Sequence, residues 1–370
     1  MRLAVFNVEN LFDRPRAMNL DSWANGKPIL DAFAALTKLL GEPVYTAAAK
    51  AEMTAQMTSL GLDKDDEGPF VVLRRSRGNL LRRPRTGGIE ITAAGRADWI
   101  GSLELRREPI NENAVRNTAR VIEAVGADVL GVVEAENRPG LSAFNEILLP
   151  SVGGRAFRHV MLIDGNDPRG IDVGLMTRSR YPIGVMHSRV DDRNDRGVPL
   201  FSRDCPDFTI TTAAGNRLVV MVNHLKSKGF GSPASNDARR MAQATRVADL
   251  YRAQIAAGQA HVAILGDFND TPGSAPLAPL LAGTDLKDIS ALPGFADGGF
   301  AGTFGSSSGR EKFDYILLSP ALFALASRAG VERRGMWAGV RPRKWEMFPE
   351  VTREVEAASD HAALWVDLDF

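Results

Sequence analysis

Residues 1–13 read MRLAVFNVENLFD. Leu3, Val5 and the Phe6–Val8 stretch have the pattern of a buried strand, yet Asn7, Glu9 and Asn10 interrupt it with polar groups. An amide or carboxylate carried into a core is costly unless it finds a partner. An isolated Asn-x-Glu at a strand end is ordinarily a turn or a cap. What Asn7 and Glu9 face is therefore decided by the rest of the chain.

The chain has 370 residues, enough for one large domain or two smaller ones. Apolar content of 44% and charged content of 24% are those of an ordinary globular protein. Lys plus Arg and Asp plus Glu balance at 45 each, so any basic surface must be local. The single cysteine, Cys205, excludes an internal disulfide and fits a reducing compartment. No apolar run reaches the ~20 residues of a membrane span. The first residues are already strand-like, without a basic-then-apolar leader, so a cytoplasmic location is expected unless a leader has been removed. Nothing in the sequence implies a protein partner.

Beyond the first strand, residues 14–110 have a different character, with helix-like stretches at Ile29–Leu40 and Tyr45–Leu60 and short strand-like pieces from Phe70 to Leu105. From Asn113 the pattern becomes regular. Asn113 is placed to cap a helix whose Val115, Ala119, Ile122 and Val125 share one face, and Gly126 ends it. Strands are expected at Asp128–Val133, Phe157–Leu162, Ile171–Thr177, Ile183–His187, Phe208–Thr212, Arg217–Val222, His261–Leu265, Phe313–Leu318 and Ala362–Leu368. Helices are expected at Leu141–Leu149 and Asp237–Ile255. Such alternation predicts an α/β sandwich with helices covering two packed sheets.

The polar residues collect at the ends of these strands. The first delivers Asn7 and Glu9, DVLGVV delivers Glu134 with Glu136 and Asn137 behind it, and RLVVMV delivers Asn223 and His224, then Lys226. HVAILG delivers Asp267, Asn269 and Asp270, while Asp314 and the Asp360–His361 pair stand at the starts of two more strands. Each position is weak by itself, but six such sites exceed what turns alone require, and strand ends are where loops gather into a functional rim. Carboxylates and amides are hard oxygen ligands that suit Mg²⁺ or Mn²⁺ rather than zinc, for which there is no cysteine pair and no His-Glu-x-x-His. Two histidines add acid, base or phosphate contact. Together these groups describe metal-assisted phosphoester hydrolysis.

FNVENLFD, GVVEAEN, VNHLKSK, GDFND, KFDYILLS and SDHAAL, in this order, resemble the endonuclease/exonuclease/phosphatase superfamily of deoxyribonuclease I-like enzymes, over residues 1–13 and about 111–370. The wording NVENLFD…NHLKSK is similar to a bacterial branch of nucleases. The resemblance implies a four-layer α/β sandwich, with two mixed sheets face to face and helices outside. It implies Asn7 and Glu134 as metal ligands, with Glu9 and Asp360 nearby. It implies Asp267 as the group that orients or deprotonates water, helped by Asn269. His361, paired with Asp314, and His224 would contact the phosphate. The implied activity is that of a Mg²⁺- or Mn²⁺-dependent phosphodiesterase acting on DNA or RNA. The alternatives are a phosphatase or phospholipase-type enzyme, for which Phe295, Phe300 and Phe304 are a weak hint, and a binding module that has lost catalysis, which should show gaps in this residue set. Val133 stands where relatives often carry Gln before the metal Glu.

The chain is expected to form one domain over 1–370 with an atypical insertion at 14–110. Within that insertion VVLRRSRGNLLRRPR carries six arginines and no acid. Gly78–Asn79 suggests a hairpin turn that projects Arg74, Arg75, Arg82 and Arg83 together as a phosphate-backbone arm, with Lys226 as a further substrate contact. GSSSG at 305–309 matches a serine-hydrolase signature but lacks the flanking strand and helix, and reads as a flexible loop. Asp172 is expected either to form an ion pair at the core rim or to touch the site.

Overall fold

This computed structural model describes residues 1–370 except Asn10, Asp21, Ser22, Pro168, Phe230 and Arg341, and except the side chains of Asn19 and Trp23. The chain divides into two compact units, one of residues 1–12, 110–228 and 233–370 and one of residues 13–109 with 229–232.

Twelve strands build two sheets in the first unit. They are β1 (Arg2–Asn7), β2 (Val129–Ala135), β3 (His159–Ile163), β4 (Asp172–Thr177), β5 (Ile183–His187), β6 (Asp207–Thr211), β7 (Arg217–His224), β8 (Val262–Asp267), β9 (Lys287–Asp288), β10 (Asp314–Leu318), β11 (Ala326–Glu332) and β12 (Ala363–Leu368). One sheet runs β11-β12-β1-β2-β4-β3 and the other β5-β6-β7-β8-β10-β9. The sheets are mixed, with β1 parallel to β2 and β7 parallel to β8.

Alternation along each strand explains the layers. Leu3, Val5, Val129 and Val133 of one sheet pack against Leu218, Val220, Val222 and Leu265 of the other, forming the core between the sheets. Ala4, Phe6, Leu130 and Val132 face the opposite way and pack with Val115, Ala119 and Ile122 of the helix α1 (Glu112–Val125). Likewise Val219, Met221 and Ile264 turn outward onto Ala244, Val247 and Tyr251 of α2 (Pro233–Ala256). Both faces of each central strand are buried, which is why these strands read as apolar runs rather than as alternating ones. The result is the four-layer α/β sandwich. Gly131 keeps the sheets close, since a Cβ there would lie 2.2 Å from Leu265 Cδ1.

Most element boundaries agree with the periodicity, and the differences have local causes. Asn111, not Asn113, caps α1, its side chain accepting from the Asn113 backbone N–H, while Gly126 ends the helix at φ +62° as expected. Strand β11 was not anticipated, because ASRAGVE lacks an apolar run and only Ala329 and Gly330 are buried.

The second unit has its own core of Phe33, Leu36, Met53, Met57, Val71, Leu73 and Trp99, between helices Trp23–Leu40 and Ala47–Ser59 and small sheets. The Trp99 indole donates to Tyr45 Oη at 2.9 Å, and that hydroxyl donates to Leu40 O. The expected hairpin at Gly78–Asn79 is not formed. Strand Val71–Gly78 pairs with Trp99–Leu105, because Leu80 and Leu81 turn into the core and carry the chain off the ladder. The arginines are not free either. Arg74 pairs with Glu104, Arg82 with Glu90, and Arg75 and Arg83 both with Asp66.

Arg83 also donates to the carbonyls of Leu62 and Asp65 and is 16% exposed, whereas Arg82 is 66% exposed. Arg83→Ser is expected to destabilise this unit by about 2 kcal/mol, since it strands the buried Leu62 carbonyl and removes one of the two guanidinium partners of Asp66. Arg82→Ser should leave the unfolding midpoint unchanged. Urea denaturation of both variants checks this, and equal midpoints would remove the anchoring role.

Candidate active site

Strand register delivers the site residues. Asn7 lies beside Val133 on the parallel pair β1–β2, so Glu134 follows at once. On the other sheet His224 lies opposite Asp267, and Asp267 opposite Asp314, which places three functional groups in one row across neighbouring strands. Gly266 makes that row possible. Its φ is +141°, and a Cβ would lie 1.8 Å from Asn223 O, so only glycine lets β8 approach β7 just before Asp267.

Direct polar contacts connect the row to residues of the other sheet. Asn7 Nδ2 donates to Asp267 Oδ2 at 3.3 Å, and His224 Nε2 lies 3.5 Å from Glu134 Oε1 and 3.6 Å from Asp267 Oδ2. Asn269 donates its backbone N–H to Asp267 Oδ1 at 2.7 Å and its amide to Oδ2 at 3.1 Å. His361 Nδ1 is 2.8 Å from Asp314 Oδ2, while its Nε2 is 3.8 Å from both Asp267 and Asp360. The Asp360 backbone N–H donates to Glu9 Oε2 at 3.1 Å. All nine catalytic and metal residues expected from the sequence are thus joined in one network.

The backbone is strained at the same place. Among the described residues only Glu9, Glu134, Asn269 and Ser307 are non-glycine residues with positive φ, at 49°, 67°, 56° and 55°. Each such residue costs about 1–3 kcal/mol and persists where its surroundings over-determine it. Three of the four are candidate site residues.

Burial sets the protonation states. Desolvation would lower the His361 pKa, but the charges of Asp314, Asp267 and Asp360 more than offset it and hold the imidazole well above its ordinary value. His224 is pushed well below its ordinary value by burial, reinforced by the guanidinium groups of Arg203 and Arg169. The two imidazoles are thus shifted in opposite directions, His361 toward the cation and His224 toward the neutral form. Burial also raises the Asp267 carboxyl, against the opposing charge of His361.

Glu134, His224 and Asp267 each offer a ligand atom within 4.8 Å of the others, as do Asp267, Asp314 and His361. Asn223 Oδ1, His224 Nδ1 and Asp314 Oδ1 are buried without a hydrogen-bond partner among the described residues. Clustered carboxylates with unsatisfied buried acceptors fit a hard divalent cation better than an empty core.

Several neighbours have structural duties. Glu136 Oε1 accepts from the N–H groups of Leu11 and Phe12, and Asn137 caps a helix by accepting from Gly140 N. Asp270 pairs with Lys228 and Arg240. Asp172 accepts from Gly165 N at 2.7 Å and its carboxyl is raised to about 7, chiefly by burial. Arg169 pairs with Asp167, which also holds Arg203. Lys226 donates to Ser227 O, and burial followed by the charges of Arg203 and Arg169 pushes its amine down to about 7. Arg74, Arg75, Arg82 and Arg83 belong to the other compact unit. Asn10, the third polar residue of the opening stretch, lies outside the described residues.

The segment at 303–311 was missed as a site element and is not a loose loop. Thr303 Oγ1 accepts from the N–H groups of Phe313 and Asp314 at 3.1 and 3.0 Å. Ala362 N donates to Thr303 O and Gly305 N to Asp360 O, and the Phe304 ring lies 4.8 Å from the His361 ring. Glu311 ties down Ser306 and Ser308. The loop therefore holds both backbones that carry the Asp314–His361 pair. Its serine-rich sequence gives no hint of this.

A sandwich whose two sheets end in clustered carboxylates, amides and two oppositely tuned histidines has the architecture of a phosphoester hydrolase. The chain belongs to the endonuclease/exonuclease/phosphatase family, whose model matches residues 105–361. No curated protein matches it. Among solved structures, the mannosyl-6-phosphatase of Bacteroides thetaiotaomicron is 17% identical, with 70% of this chain and 92% of that chain covered and a TM-score of 0.50. The human Nocturnin catalytic domain is 16% identical, with 71% and 88% covered and a TM-score of 0.45. Sphingomyelinase C from Streptomyces griseocarneus is 17% identical, with 69% and 92% covered and a TM-score of 0.44. At these identities the likeness is one of fold.

Asp314→Asn should lower the His361 pKa, and as the charge on His361 is lost the His224 pKa should rise, because that charge helps to hold it down. An NMR titration of the imidazole signals reads both values. An unchanged His361 would mean that Asp314 does not hold its charge.

Proposed function

We propose that this protein is a divalent-metal-dependent phosphodiesterase, most simply a nuclease that cleaves DNA or RNA by attack of an activated water. The observation that carries the reading is the network within 3.8 Å that links Asp267 to His224 and His361, with Glu134 and Asn7 beside it. Glu134 and Asn7 would hold Mg²⁺ or Mn²⁺, with Glu9 and Asp360 adjacent. When bound, the ion supplies neutralisation of charge on the phosphoryl oxygens.

The chain's own groups account for the remaining chemistry. Asp267 is fixed by Asn7 and Asn269, and its burial raises the carboxyl toward the working pH, as a general base requires. It would take a proton from water as the water oxygen bonds to phosphorus and the opposite P–O ester bond breaks. The cationic His361 faces the charge that grows on the phosphoryl oxygens, oriented by Asp314. Neutral His224 would offer a hydrogen bond rather than a second charge. Asn269 would position the water or a phosphate oxygen.

The alternative substrate class is a small phosphoester or a lipid head group. The phenylalanines that suggested a lipid-binding hairpin do not form one. Phe304 packs on His361 and Phe313, and Phe300 lies edge-on to Trp345. If the arginines Arg74, Arg75, Arg82 and Arg83 hold a polynucleotide, its phosphates must displace Glu104, Asp66 and Glu90 from them.

Hydrolysis of bis-p-nitrophenyl phosphate against p-nitrophenyl phosphate, with and without EDTA, separates the readings. The diester should be preferred and EDTA should abolish turnover; preference for the monoester would favour a phosphatase. Asp267→Asn and His361→Ala should each lower turnover by ~10²–10⁴-fold with the fold retained. Glu134→Gln should raise the metal concentration needed for half activity. Full activity in excess EDTA would end the metal-dependent mechanism.

A further inference from the structure

Residues 333–353 connect β11 to the turn at Glu354–Glu356 without helix or strand among their described positions. Long structureless segments inside compact domains are uncommon and usually functional. This one has a core of its own. Ala338, Met347 and Val351 pack with Trp337, Trp345 and Phe348, and Lys344 N closes the tip by donating to Ala338 O at 3.1 Å.

Its stem stands at the catalytic rim. Glu332 pairs with Ala363, two residues beyond His361. The buried Arg333 donates to the carbonyls of Phe300 and Gly302, next to Thr303. On the return, Ala358 N donates to Gly335 O, and Ser359 donates to Asn7 O while accepting from His361 N. The Trp345 ring lies edge-on to Phe300, 5.3 Å away.

The tip carries free charge. Arg343 and Lys344 are exposed, and among the described residues neither has an ion pair, while Arg334 pairs with Glu332, Glu350 with Arg120 and Arg353 with Glu356. Glu346 is the one acid of the loop left to oppose them. Val340, 72% exposed, is the single large apolar side chain shown at the tip, since the aromatic rings turn into the loop's own core. An anionic membrane would call for exposed aromatic or aliphatic anchors beside the cations. A phosphate backbone calls only for the cations.

We propose that the 333–353 loop docks a polynucleotide backbone beside the active site, with Arg343 and Lys344 holding phosphates away from the one that is cleaved. This assignment rests on the phosphodiesterase reading above. The test is the Arg343→Ala/Lys344→Ala double variant, with Arg343→Lys/Lys344→Arg as the charge-conserving control. Binding of fluorescein-labelled oligothymidylate to the full chain is followed by anisotropy in EDTA across a salt series, alongside hydrolysis of bis-p-nitrophenyl phosphate with metal. The double variant should bind about tenfold more weakly, with the log–log salt slope reduced by roughly 1.5, and the control should bind like the wild type. Hydrolysis of the small diester should stay within about twofold, because its two ester arms do not reach a distant cation.

Failure of the wild type to bind the oligonucleotide, or unchanged binding by the double variant, overturns the proposal. So does an equal loss of small-diester hydrolysis, which would make the loop a support of the fold. Retained oligonucleotide binding with lost binding to phosphatidylserine vesicles would assign the tip to a membrane instead. If the wild type binds through this loop yet hydrolyses no diester, docking stands and the phosphodiesterase reading fails.

Discussion

Parallel strands end together, and this constraint organises the molecule. In a parallel pair the carboxyl ends of both strands reach the same edge, so residues at equivalent register emerge side by side. The β1–β2 pair does this for Asn7 and Glu134, and the β7–β8 pair for His224 and Asp267. The antiparallel β10 then adds Asp314 opposite Asp267, and the turn before β12 brings His361 onto Asp314 from the other sheet. Sheet packing supplies the rigidity. With Leu3, Val5 and Val133 interlocked against Val220, Val222 and Leu265, a one-residue slip of any central strand would turn its apolar set out of the core. The register that fills the core is the one that assembles the site.

Such a site is expensive to fold, and the structure shows where the cost lies. Glu9, Glu134 and Asn269 hold left-handed backbone, and Asp267, Asp314, His224 and His361 are buried. Stranding one member of a buried ion pair costs about 3–5 kcal/mol, so the His361–Asp314 contact must be satisfied on every side. The 303–311 loop meets that demand. Thr303 quiets the backbone donors of Phe313 and Asp314, and Phe304 covers the imidazole face. A loop that resembled a nucleophile motif in sequence serves instead to keep an acid and a base aligned.

The legible part of the sequence was its periodic part. DVLGVV, RLVVMV and HVAILG announced central strands because two-sided burial demands unbroken apolar runs, and the polar residues after them stood out for that reason. Strand β11 was invisible because ASRAGVE, at a sheet edge, buries little. The N-cap was misplaced by two residues because Asn111 and Asn113 offer the same amide, and only backbone geometry separates them. The arginine-rich segment misled for another reason. Its acids Asp66 and Glu90 lie just outside the acid-free run and Glu104 is brought back by the Val71–Gly78 ladder, so a local excess of charge became a set of pairs.

That lesson also shows where charge is meaningful. With 45 cations against 45 anions, a local run of arginines readily finds acids, and Arg74, Arg75, Arg82 and Arg83 of the second compact unit all do. Two groups of cations in the other unit differ. Asp167 serves two guanidinium groups at once, and after burial the charges of Arg203 and Arg169 are the largest influences depressing His224 and Lys226. Arg343 and Lys344 stand exposed, with no ion pair among the described residues, on a loop whose stem pairs two residues beyond His361. Excess positive charge of this kind repels itself and lowers stability unless an anion arrives to share it. A phosphoester is such an anion, and both groups belong to the unit that carries the candidate site.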